Sequence, residues 1–184
     1  MHTIKENLTR GLLLVVLSLS VLSTYSCGYI IDGNNNINSK EIVALNREEA
    51  KLIVEATTIN LNVLNLSEIT KKKASNTKII EFADSLKKDH LEISKKLSQL
   101  ATKNFITIPD TIYTEKAAFL VQNQDSVLIK TYVSHITSLL LQQQKTLENL
   151  KRCTDDLDFK EVTIEATATL ETNLTELENL TKEL

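Results

Sequence analysis

The chain has 184 residues, of which 42% are hydrophobic and 4% aromatic, with 3 Gly, 1 Pro and no Trp. That length suits one domain, and so little Gly and Pro disfavours a multi-stranded sheet, whose hairpins and corners draw on both. A formal charge of −3, from 21 basic and 24 acidic residues, leaves no basic footprint for nucleic acid, and Gly11, Gly28 and Gly33 are not spaced as a phosphate-binding loop.

The first segment speaks of destination. Lys5 and Arg10 precede an apolar run from Gly11 to Ser23, which is shorter than the ~20 residues of a spanning helix. A basic start, a short apolar stretch and a small residue at the cut match a secretory signal, expected over residues 1–26. A retained membrane anchor is the competing reading. Cys27 falls just after the expected cut and resembles the lipidated Cys of bacterial lipoproteins, which becomes the first residue of the mature chain. Ser26 fits that pattern, while Thr24 and Tyr25 depart from it. Two acyl chains suffice for stable anchoring, so the expected address is the bacterial cell envelope, periplasmic or outer-membrane. Residues 27–45 then read as the lipidated Cys and a flexible tether, because Asn34, Asn35 and Asn36 in succession have poor helix propensity.

From residue 46 to 184 the apolar residues recur at spacings of three and four, the mark of helices with one buried stripe. The first helix carries Leu45, Leu52, Ala56, Ile59, Val63 and Leu66, and Asn46 with Glu49 suggests a capping box that starts it at Arg47. The second opens after Ser75 and Asn76 and carries Ile79, Phe82, Ala83, Leu86, His90, Ile93, Leu97 and Leu100. The break between them is short enough to force an antiparallel hairpin. A longer link follows, with Pro109 and a short helix from Glu115 to Val121. It is long enough either to return locally or to cross the length of the molecule.

The third long helix starts at Asp125 and Ser126 and buries Ile129, Val133, Ile136, Leu140, Leu147 and Leu150, with the run Gln142 to Gln144 on a solvated face. After Thr154, Asp155 and Asp156 the fourth buries Val162, Ala166, Leu170, Asn173, Leu177, Leu180 and Leu184. Four stripes that face one another make an all-α four-helix bundle of two helical hairpins.

Bundles gain chemistry by projecting ligands inward, as in di-iron sites built from Glu and Glu-x-x-His motifs. No Glu-x-x-His occurs here, and with His2 in the signal only His90 and His135 remain. His135 reads as a boundary residue. His90 lies on the apolar stripe, where the expectation is a buried imidazole holding one hydrogen bond, with Asn173 as its buried polar partner. The alternative makes His90 a metal ligand, with Glu81, Asp84 or Glu92 as neighbouring carboxylates. Cys153 has no in-chain disulfide partner once Cys27 carries lipid, and reads as a small apolar residue near a helix end.

The run from Ile79 through Phe82-Ala83 to Asp89-His90, with Leu97, Leu100-Ala101 and Ile108-Pro109 after it, resembles the ferritin-like domain of unknown function 4142 family. Tyr132-Val133 and Thr169-Leu170 extend the resemblance over about residues 46–182. It implies an exported, often membrane-associated protein whose family has no established activity. Many members carry acidic residues in the first helix and further His in the third and fourth, which suggests a metal site. Those places hold Val63, Asn65, Leu140 and Asn173 here, and His90 alone is kept. The resulting expectation is a non-enzymatic, lipid-anchored envelope protein without a cofactor, whose contacts are the membrane and an envelope protein partner.

Overall fold

The computed structural model describes residues 39–111, 115–122 and 125–183. Residues 1–26, expected to be a signal, and Cys27 therefore lie outside the described residues. Among the described residues there are five helices: α1 (Ser39–Lys73), α2 (Thr77–Lys103), α3 (Glu115–Gln122), α4 (Asp125–Cys153) and α5 (Leu157–Lys182). None of the described helices is long and apolar enough to cross a membrane.

Local chemistry sets the ends. Asn76 caps α2, its Oδ1 accepting from Ile79 N at 3.2 Å. Asp156 caps α5, accepting from Asp158 N at 2.7 Å and Phe159 N at 3.4 Å. Each cap satisfies backbone donors that the first helical turn cannot. Lys71, Lys72 and Lys73 close α1, where positive charge offsets the helix dipole.

The end of α2 is a Schellman motif. Ile106 N donates to Ala101 O at 2.8 Å and Phe105 N to Thr102 O at 3.3 Å, which requires the left-handed backbone that Phe105 adopts at φ 55°. Glycine ordinarily fills that position, because a Cβ is crowded there. Ile106, next in the chain, packs against the core.

The order of packing follows from contacts along the helices. α1 packs against α2 and α4, and α5 against α4 and α2, so the four long helices form a square with α1 opposite α5. Ion pairs Lys78–Glu183 (2.7 Å) and Lys96–Glu165 (2.6 Å), with Lys103–Asp158 at the far end, make α2 and α5 antiparallel. Ser67 meets Tyr132 (3.2 Å between hydroxyls) and Thr146 Oγ1 donates to Glu55 (3.1 Å), so α4 starts beside the last third of α1 and runs against it. α2 thus ends at one pole while α4 begins near the other. The link between them, α3 included, runs the length of the bundle, with α3 against α1 and α4. Two hairpins joined by one long crossover is the connection type of ferritin-like bundles.

The stripe expected for α2 is buried in full, from Ile79 to Leu100. The stripes expected for α1 from Leu52 to Leu66 and for α5 from Ala166 to Leu180 are buried too, and the differences lie at helix ends and in α4. α1 begins at Ser39 rather than Arg47, since Lys40, Glu41, Ala44 and Leu45 are good helix formers that continue the helix back through Asn46; the side chains of Leu45 and Leu184 lie outside the described residues. In α4 the expected Ile136, Leu140, Leu147 and Leu150 are buried, the face also takes in Leu128, Tyr132, Leu139, Gln143 and Thr146, and Ile129 and Val133 are only half-buried. The glutamine run is therefore not wholly solvated: Gln143 is 0% exposed. α5 buries Phe159 and Thr163 and leaves Val162 half-buried. Full burial of a side chain such as Leu66 or Leu97 contributes ~1.5–3 kcal/mol, and these residues form one continuous core.

Candidate functional site

Midway along the bundle the apolar core is interrupted by a layer of amides and one imidazole. Asn60 on α1, His90 on α2, Gln143 on α4 and Asn173 on α5 are each at most 1% exposed. α1 places Asn60 in a second stripe beside its apolar one, spaced Ile53, Ala56, Asn60, Val63, Ser67 and Thr70, all buried. Its members are partly polar, so apolar periodicity alone does not reveal it.

Asn60 organises the layer. Its Nδ2 donates to the backbone carbonyl of His90 at 2.9 Å and to Ser94 Oγ at 2.6 Å. A carbonyl oxygen can only accept, so this bond fixes which end of the Asn60 amide is nitrogen. Its Oδ1 then lies 2.7 Å from His90 Nδ1 and accepts from Gln143 Nε2 at 3.3 Å. Gln143 Nε2 also reaches the carbonyl of Ala56 at 3.5 Å. One side chain on α1 thereby ties α2 and α4 together.

Charge is excluded from this layer. Burial pushes the His90 imidazole down to about 3, so the ring is neutral at any physiological pH. Burial likewise pushes the Asp89 carboxyl up, while a hydrogen bond from the Asn173 side chain and the charge of Lys88 pull it back. Tyr132, farther along the core, is pushed up by burial, with Ser67 pulling it back.

His90 and Asn173 are both buried, as the sequence implies, but the hydrogen-bond partner of His90 is Asn60 and not Asn173. Two polar atoms of the layer, His90 Nε2 and Gln143 Oε1, have no partner in hydrogen-bonding geometry, and Asn173 Nδ2 has none beyond the Asp89 carboxyl that it faces. The carboxylates considered as metal ligands do not join His90. Glu81 and Glu92 are exposed, and Asp84 is paired with Lys71 and Lys88. Among the described residues no three His, Cys, Asp or Glu side chains gather where they could hold a metal ion. His135 is half-buried beside Ile136, and Cys153 is half-buried as the last residue of α4.

Away from the layer, a surface cleft of about 540 Å³ lies between the first half of α1, the end of α2 and the start of α5, lined by Glu49, Ala50, Val54, Phe105 and Phe159 among others. At the same pole Phe105 and Leu157, 97% and 79% exposed, are the two most exposed large apolar side chains among the described residues.

No curated protein matches the chain. Among solved structures it is similar to the crystal structure of a DUF305 fragment from Deinococcus radiodurans, with a TM-score of 0.66 and 8% identity, covering 74% of this chain and 97% of that one. At that identity the likeness concerns the fold alone. The family model described as a domain of unknown function, DUF4142, matches residues 38–180, which takes in every element from α1 through nearly all of α5. The chain belongs to the DUF4142 family.

Proposed function

We propose that this protein is a non-enzymatic, lipid-anchored component of the bacterial cell envelope, in which the bundle serves as a scaffold that presents its surface to an envelope partner. The observation that carries the scaffold reading is the state of His90. The one imidazole of the layer is sealed from solvent, neutral, and engaged through Nδ1 with Asn60. A group so placed cannot reach a substrate, and a base held at about 3 is far from the operating range of general acid–base catalysis. The anchor reading rests on Cys27 directly after the apolar run from Gly11 to Ser23. Phe105 and Leu157, each within two positions in the chain of a member of the Lys103–Asp158 ion pair, are the surface offered to the partner.

Fractionation tests the anchor: Cys27→Ala should move the protein from the membrane to the soluble export fraction, and unchanged membrane retention would contradict lipidation. A photo-crosslinking residue at position 105 tests the partner, with a discrete adduct in intact cells expected there and not at exposed Glu171 on α5.

A second reading, metal binding through His90, is favoured by one observation, the unpartnered Nε2 of a neutral imidazole. Metal titration of the purified protein separates it from the first.

A further inference from the structure

The donors and acceptors of the central layer can be assigned one by one, and what remains has a definite polarity. The amide of Asn60 is oriented by the His90 carbonyl, so its Oδ1 faces His90 Nδ1. An amide oxygen only accepts, so Nδ1 carries the proton. A neutral ring has one such proton, which leaves Nε2 as a bare lone pair. Gln143 is oriented in the same way. Its Nε2 points at two oxygens, Asn60 Oδ1 and Ala56 O, so Oε1 is the acceptor left over. Asn173 contributes a donor: its Nδ2 carries two protons, and with one turned to the Asp89 carboxyl the other remains to be given. The layer therefore ends in two acceptors and one donor, from three different helices, all buried.

The residues that carry these atoms stand at one level. Asn60 touches both His90 and Gln143 directly. The ion-pair ladder Lys78–Glu183, Lys96–Glu165 and Lys103–Asp158 puts residues 88–90 of α2 opposite residues 171–173 of α5, and Asn173 acts on the Asp89 carboxyl. In a square bundle, inward side chains at one level converge on the axis. The long bonds of Gln143, 3.3 and 3.5 Å, show an amide that is not drawn tight against its protein partners.

We propose that this layer is a binding site for one small neutral molecule that donates two hydrogen bonds and accepts one, and that its occupant is a single ordered water. The water donates to His90 Nε2 and Gln143 Oε1 and accepts from Asn173 Nδ2. Three bonds is the usual number for a buried water, and each otherwise orphaned polar atom is thereby satisfied. With it the network reaches α5 and joins all four long helices. A divalent cation fits less well, because it would face the Asn173 amide nitrogen and no carboxylate among its partners.

The test uses the full chain in detergent, with 15N-labelled histidine, the His90 signals being identified by their loss in His90→Gln. Long-range proton–nitrogen spectra read the tautomer, and water–protein cross-relaxation reads the occupant. The expected result is a neutral ring protonated on Nδ1, with a long-lived water contact to the His90 ring protons that is lost in Asn173→Leu and in Gln143→Leu while the tautomer stays unchanged. Two variants guard against one of them failing to fold. Protonation on Nε2, or no water contact in the wild type, would overturn the proposal. So would stoichiometric broadening of the His90 signals by manganous chloride or a stoichiometric shift on adding zinc chloride, either of which would make the site a cation site.

Discussion

His90 Nδ1 and Asn60 Oδ1 lie 2.7 Å apart in the middle of the bundle, on neighbouring helices thirty positions apart in the chain. Removing the amide at residue 60 would leave the His90 Nδ1 proton and the Ser94 hydroxyl without their partner and deprive the Gln143 amide of one acceptor. Each orphaned buried group costs about 1–3 kcal/mol. Asn60→Leu, close in size, is therefore expected to destabilise the bundle by about 2–4 kcal/mol in urea denaturation, with helicity before the transition unchanged. A loss below about 1 kcal/mol would mean that the layer contributes little to holding α1, α2 and α4 together.

The same neutral imidazole sets a pH dependence. In the unfolded chain His90 takes up its proton near its ordinary value of 6.5, while in the native core it does so only at about 3. Between those values the unfolded state binds more protons, so stability falls as pH falls, by at most about 1.4 kcal/mol per pH unit from this residue. The groups at its level on the other helices, Asn60, Gln143 and Asn173, do not titrate, and Asp89 is the ionisable neighbour on its own helix. Denaturation midpoints of the wild type should drop from pH 6.5 to pH 4 more steeply than those of His90→Gln. Parallel profiles would show that the ring is not held neutral by burial.

Phe105 occupies a left-handed backbone position that glycine takes at lower energy. Its side chain is 97% exposed, so truncation forfeits almost no burial. Phe105→Gly should leave the bundle no less stable, and up to about 1 kcal/mol more so, once relief of the left-handed strain is set against the extra freedom of the unfolded glycine. The same variant should weaken co-purification of an envelope partner. Destabilisation by more than about 1 kcal/mol in thermal unfolding would contradict the exposed, strained placement.

Tyr132 packs edge-on to Phe82, ring centroids 6.5 Å apart, while its hydroxyl meets Ser67. Tyr132→Phe keeps the ring contact and removes only that hydrogen bond, so a loss of about 1 kcal/mol is expected. Tyr132→Ala also opens a cavity in the core and should cost about 3–5 kcal/mol. Equal losses in the two variants would place the stabilisation in the hydroxyl instead of the ring.

What was legible in the sequence follows the width of each helix's buried face. α2 touches α1 and α5 along one apolar stripe, and every residue expected from Ile79 to Leu100 is buried. α4 meets α1, α5 and α3, so its buried face is wider and centred on Leu128, Tyr132 and Leu139 rather than on Ile129 and Val133. The central layer was half visible. His90 and Asn173 stand out because each interrupts an apolar stripe, whereas Asn60 and Gln143 sit among other polar residues, Asn62 in one case and Gln142 and Gln144 in the other. Their spacing from Ala56 and Val63, and from Leu139, Leu140 and Leu147, was the available signal. The path of the α2-to-α4 link could not be read at all, since its length permits both routes and contacts remote in sequence choose between them.

The central claim is that the imidazole at the heart of the bundle is a sealed structural group. The most direct measurement is the metal content of the full chain, purified from membranes without chelators and analysed by elemental mass spectrometry beside His90→Leu. The account predicts far less than one equivalent of iron, manganese or zinc in both proteins. One equivalent in the wild type, absent from a folded His90→Leu, would contradict it.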